Sequence, residues 1–218
     1  MKKIPLALLL IIGFTSFAQN RFFYDYKFIP DSTDKANVLK EIMLLDIDKS
    51  GSKYYGQEKF VADSTSQADV ERQLKLSPNN ISISRNDKPG MISYKVTKRY
   101  PDFKTHLFTR ISNDSYKIEE DKKPEWKILP EKQKIGEYNA QKATTKYGGR
   151  EWTAWFSTDL PFQDGPYKFY RLPGLIVKIE DKTGISLSNI SRITPPAQAV
   201  QVPNKKLLNT SLFSEIPL

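Results

Sequence analysis

Residues able to carry catalysis are few in this chain and poorly placed for it. Ser50-Gly51-Ser52-Lys53 has the S-x-x-K spacing of a serine nucleophile one turn before a lysine base, and Lys182-Thr183-Gly184 supplies the K-T-G triplet that accompanies it. That chemistry needs the serine at the start of a buried helix, whereas both stretches read as turns. Asp46, Asp48, Ser50 and Gly51 imitate the opening of a calcium loop, in which alternate oxygens face one ion, but Gln57 stands where the bidentate acid belongs. His106 is the only histidine, so a Ser-His-Asp system would have to use it, and two imidazoles cannot share a metal. Glu119-Glu120-Asp121 lies beside Lys122 and Lys123 and reads as a solvated loop. Gly148-Gly149-Arg150 is too short to cradle a phosphate. No metal and no cofactor is expected. A hydrolase using carboxylate or serine groups without a metal stands as the alternative to a non-catalytic protein.

The elements that would position any site are mainly β. Segments rich in Tyr, Phe, Ile, Val and Thr alternate with a period of two, which is how half-buried antiparallel strands read. Strands are expected over residues 22–29, 41–48, 91–100, 105–111, 116–120, 133–147, 150–157, 174–181 and 185–193. Gly148-Gly149 can supply the two positive φ angles of a primed hairpin turn. One helix is expected over residues 57–76, stopped by Ser77-Pro78 and broken near Asp63-Ser64-Thr65-Ser66, whose side chains compete for backbone hydrogen bonds. The expectation is a curved, half-barrel-like antiparallel sheet with one broken helix.

Residues 1–18 read as a secretory signal peptide: two lysines, an apolar run too short to span a bilayer, and small residues ending at Ala18. Residues 19–194 then form a single domain, and the proline-containing residues 195–218 an extended tail. With no cysteine in the chain, neither a disulfide framework nor a lipidated cysteine is available. The net charge of +9 is moderate. For an exported protein it points to anionic envelope components or to solubility, not to nucleic acid.

Residues 127–181, KILPEKQKIGEYNAQKATTKYGGREWTAWFSTDLPFQDGPYKFYRLPGLIVKIED, resemble the GLPGLI family of exported Bacteroidetes proteins. The stretches at residues 22–33 and 44–55 resemble it too, so the likeness covers nearly the whole chain after the leader. It implies a cell-envelope location, periplasmic or extracellular, and no particular reaction. Arg171 stands where the family motif has its first glycine. Pro173 and Gly174 suit a type II turn over Leu172, Pro173, Gly174 and Leu175, with positive φ at Gly174, delivering residues 175–179 into the sheet. Leu175, Val177 and Ile179 would then share one face. Trp152, Trp155, Tyr167, Tyr170 and Arg171 are expected to border an apolar groove whose guanidinium holds an anionic head. The function so expected is a binding module for an apolar or amphipathic ligand or a peptide partner: an envelope lipid, a peptide or an outer-membrane protein.

Overall fold

The computed structural model describes residues 20–31, 33–76, 90–183 and 186–194. The expected leader, the expected helix stop at Ser77-Pro78 and the expected C-terminal tail lie outside the described residues. The elements are β1 (Asn20–Phe28), β2 (Leu39–Ile47), β3 (Gly51–Gly56), α1 (Gln57–Leu76), β4 (Lys95–Arg99), β5 (Lys104–Ile111), β6 (Asp114–Glu120), β7 (Lys127–Ile135), β8 (Tyr138–Tyr147), β9 (Arg150–Ser157), β10 (Leu175–Asp181) and β11 (Ser186–Thr194). The sheet order is β6-β5-β4-β3-β2-β1-β11-β10-β9-β8-β7, with every pair antiparallel. Two meanders therefore join where the first strand pairs with the last.

That junction is apolar by register. Phe22 lies opposite Leu45 and Tyr24 opposite Met43 on the β2 side, while Tyr24 meets Ile190 on the β11 side, and all five are buried. They belong to a large core cluster that also holds Tyr54, Val96, Trp155, Leu175 and Val177. A second cluster gathers Ala143, Ala154, Phe156, Phe169, Leu172, Ile176 and Ile179.

The sheet is open but strongly curved, and the chain's own connectivity requires it. Strands β6 and β7 are the two edges, so a flat sheet would hold them ten steps, or about 48 Å, apart. Residues 121–126 join them, and six residues reach at most about 25 Å. The sheet curls to meet that limit. The hollow so formed is filled by residues 158–174, the irregular connection from β9 to β10. Tyr24 donates from its hydroxyl to the Ile176 carbonyl across it at 2.8 Å.

Several expected details are corrected. The helix is continuous over all 20 residues. Thr65 returns its hydroxyl proton to the Val61 carbonyl at 2.9 Å, and Lys59–Asp63 and Asp69–Arg72 ion pairs bridge its turns, so the polar middle stays helical. Residues 51–56 form a strand where a turn was expected. The single strand expected at residues 133–147 is two, divided at Gly136, whose φ is 58°. In β10 a register shift between Ile176 and Lys178 sends Ile179 to the second cluster, away from Leu175 and Val177. The Gly148-Gly149 hairpin forms as expected, with φ of 59° and 76° between the paired Tyr147 and Arg150.

Candidate functional site

The LPGLI segment ends the connection that fills the hollow, and its geometry is not the expected turn. Gly174 donates its amide to the Leu172 carbonyl at 2.8 Å, a three-residue γ-turn about Pro173, while the Leu175 amide goes to Leu160 at 3.0 Å. Gly174 is absent from the positive-φ residues; Arg171 holds φ of 71° instead. The left-handed backbone thus sits at Arg171, three residues before Gly174. Gly174 serves a different need: a Cβ there would lie 2.2 Å from the Ser157 carbonyl oxygen.

The rest of the connection is clamped from the opposite meander by a buried ion pair. Lys98 of β4 shares the inward phase of Val96, and its ammonium bonds the Asp164 carboxylate and the carbonyls of Gly165 (2.7 Å) and Phe169 (3.3 Å). The Tyr100 hydroxyl and the Gly165 amide donate to the same carboxylate. The Lys98 and Asp164 side chains are 1% and 0% exposed. Burial pulls Lys98 below the ordinary lysine range, opposed by Asp164, and burial followed by Asp164 pushes the Tyr100 phenol up. Phe103 stacks on Tyr170 at 4.8 Å, Tyr94 packs edge-on to Tyr167, and Lys168 pairs with Glu120 at 2.6 Å. The Lys98–Asp164 pair at the centre of this constellation is an enclosed clamp.

The five residues expected to border one groove are divided by this arrangement. Trp155 is 9% exposed and lies in the first cluster; Tyr170 is 1% exposed beneath Phe103. Trp152 packs on Phe169 and donates to the Tyr147 carbonyl at 3.0 Å. Tyr167, with φ of 55°, touches both clusters. Only Arg171 is exposed, its guanidinium 5.9 Å from the Tyr170 ring centre.

The residues with apparent catalytic or metal-binding spacing are engaged elsewhere. Asp46 is held by Arg21 at 2.7 and 2.8 Å and by the Tyr55 hydroxyl at 2.7 Å, and that bonding raises Arg21 above its ordinary value. Asp48 accepts from the Ser50 amide and hydroxyl and the Gly51 amide, a turn that caps the β2–β3 hairpin. Among the described residues no cluster of three or more His, Cys, Asp or Glu could hold a metal. His106 lies 3.6 Å from Glu119 on an outer strand face. Glu41 is a buried carboxylate whose Oε2 accepts from the amides of Met91 (3.0 Å) and Ile92 (2.8 Å); burial raises it above the usual range, against those bonds.

A cleft of about 310 Å³ is lined by Asp25, Lys27, Lys134, Ile135, Gly136, Lys178 and Asn189. It lies over the junction of the meanders. Asp25 faces Asn189 across β1 and β11, Lys178 faces Asn189 across β10 and β11, and the β7–β8 turn supplies the far wall. Three lysines and one aspartate line it, and Glu180 lies 3.0 Å from Lys178. The Asn189 Oδ1 is buried with no hydrogen-bond partner. Such an arrangement suits a ligand that brings an anion to the lysines and a donor to the amide. Nothing local in the sequence marks these residues, because they come from four separate stretches of the chain.

No family model matches the chain, and no curated protein matches it. It is similar to two solved structures of PNGF-II in different space groups, each 17% identical, with TM-scores of 0.55 and 0.53. They cover 92% and 90% of this chain but only 31% and 30% of theirs. The chain thus spans about a third of the PNGF-II chains it matches, and at this identity the likeness is one of fold alone.

Proposed function

We propose that this chain is an exported, non-catalytic binding module of the GLPGLI kind that captures an amphipathic ligand or a peptide partner through its anionic group. The single observation that carries the reading is the cleft over the β1–β11 junction, lined by Lys27, Lys134 and Lys178 together with Asn189, whose side-chain oxygen is unpaired. The leader-like N-terminus and the motif resemblance support a cell-envelope setting, in which the ligand is an envelope lipid, a peptide or an outer-membrane protein. The ammonium groups attract the anion, Ile135 offers apolar surface at the rim, and the Asn189 carbonyl selects for a donor.

Isothermal calorimetry with the chain starting at residue 19 tests this. A twelve-carbon carboxylate, the matching alcohol and acidic or neutral peptides form the panel. Carboxylate or acidic peptide should bind, the uncharged analogues more weakly, and Lys27→Glu with Lys134→Glu should weaken binding by about tenfold or more. Equal binding of acid and alcohol, or no binding across the panel, would overturn the proposal.

A further inference from the structure

The two edges of the sheet are protected unequally. Strand β7 carries Pro130, which has no amide proton, and a register shift between Ile128 and Lys132, both of which spoil pairing with a further strand. Strand β6 has neither. It pairs with β5 over seven consecutive residues without a bulge, and its other side is unpaired. All of it but Glu120 is exposed, including Tyr116 and Ile118 at 44% each.

We propose that two copies of this chain pair through β6, antiparallel about a twofold axis at Ile118. A twofold perpendicular to the sheet keeps each residue on its own face, so only residue-centred registers are possible. Centring on Lys117 sets that lysine against its copy and Asp114 against Glu120. Centring on Glu119 sets that carboxylate against its copy, and centring on Tyr116 pairs no charges. Centring on Ile118 places Lys117 opposite Glu119 and Ile118 opposite itself, with no like charges facing. Tyr116 reaches the partner's Ile118 diagonally, so the exposed apolar pair on this strand is covered. Lys117 makes no ion pair among the described residues, and Glu119 already leans on Lys104 at 2.8 Å without being enclosed. The charges that blunt this edge against other strands match in one register of self-pairing. This inference is independent of the cleft.

Sedimentation velocity and native mass spectrometry of the wild-type chain, Lys117→Glu, Glu119→Lys and an equal mixture of the two variants provide the test. The wild type should dimerise. Each variant alone replaces two opposite-charge pairs with two like-charge pairs and should weaken the dimer by about tenfold or more. The mixture should recover a dimer that is heterotypic by mass, because the carboxylates at positions 117 and 119 of the first variant then face the ammonium groups at positions 119 and 117 of the second. Circular dichroism checks that each variant is folded. A monomeric wild type, a dimer indifferent to both variants, or a mixture that fails to pair would each overturn the proposal.

Discussion

Residues 158–174 and strand β6 are built in opposite ways. The first has no regular secondary structure, yet it contains Asp164, Phe169, Tyr170 and Leu172, none more than 1% exposed. The second has an unbroken ladder and is exposed along nearly its whole length. Regular hydrogen bonding therefore does not locate the stability of this fold; enclosure does. An irregular segment pays the full entropy of ordering each residue, so it persists only where burial and satisfied polar groups exceed that cost. Here the Lys98–Asp164 pair, four ring contacts of Phe169 and the Trp126 indole donating to the Tyr170 carbonyl at 2.7 Å supply them.

The sharpest way to break that contrast is to remove one partner of the clamp. Asp164→Ala leaves a fully buried ammonium without its counter-charge, and should cost about 3–5 kcal/mol by urea denaturation. Lys98→Met combined with Asp164→Ala should cost less than Asp164→Ala alone, since no charge is then stranded. A loss under about 1 kcal/mol for the single change would mean that the segment is stabilised elsewhere.

Gly174→Ala comes next. The added Cβ would press on the Ser157 carbonyl at the mouth of β9, where backbone must move, and overpacking of this kind costs about 1–3 kcal/mol. Arg171→Gly should act in the opposite direction. Arg171 holds a left-handed backbone that penalises a side chain, and its guanidinium makes none of the ion pairs among the described residues. Relief of the strain should raise stability by about 1 kcal/mol, read from the shift in urea midpoint. If Arg171→Gly destabilises instead, its contact with the Tyr170 ring outweighs the backbone cost.

What was legible in the sequence follows the same division. Strands β1, β2 and β9 are legible from their apolar and aromatic residues, which fill cores on both faces over part of each strand, and the Gly148-Gly149 turn is dictated by its own two residues. Strand β3 was hidden by its glycines. Gly51 reads as a turn residue, but its role is close approach: a Cβ would sit 2.0 Å from the Lys98 carbonyl of the neighbouring strand. The helix was legible in extent and not in continuity, because the ion pairs that support its polar middle depend on side-chain geometry. Its apolar packing is also faint, with Ala62 buried while Val61 and Leu74 are exposed. Lys98 offered one signal, a lysine in phase with Val96, but its partner Asp164 lies in a segment without periodicity. The aromatic residues of the expected groove were legible as an aromatic-rich stretch and not in their placement, since packing around residues 158–174 directs Trp155 and Tyr170 inward. The cleft was not legible at all, since Lys27 and Asn189 meet only because the first strand pairs with the last.

The smallest expected effect tests the exposed side of the contrast. Ile111 closes β5 opposite Asp114, is 62% exposed, and lies outside the residues matched in the proposed β6 pairing. Threonine is equally suited to a strand and keeps the branched Cβ, so the ladder should be undisturbed. Ile111→Thr should therefore change stability by less than about 0.5 kcal/mol, the usual range for surface positions. Hydrogen exchange of the β5–β6 amides should match the wild type. A loss above about 1 kcal/mol would be too large for the area Ile111 now buries. It would mean that this end of the sheet is enclosed in solution, and the contrast between a packed interior segment and an exposed edge would have to be redrawn around what covers it.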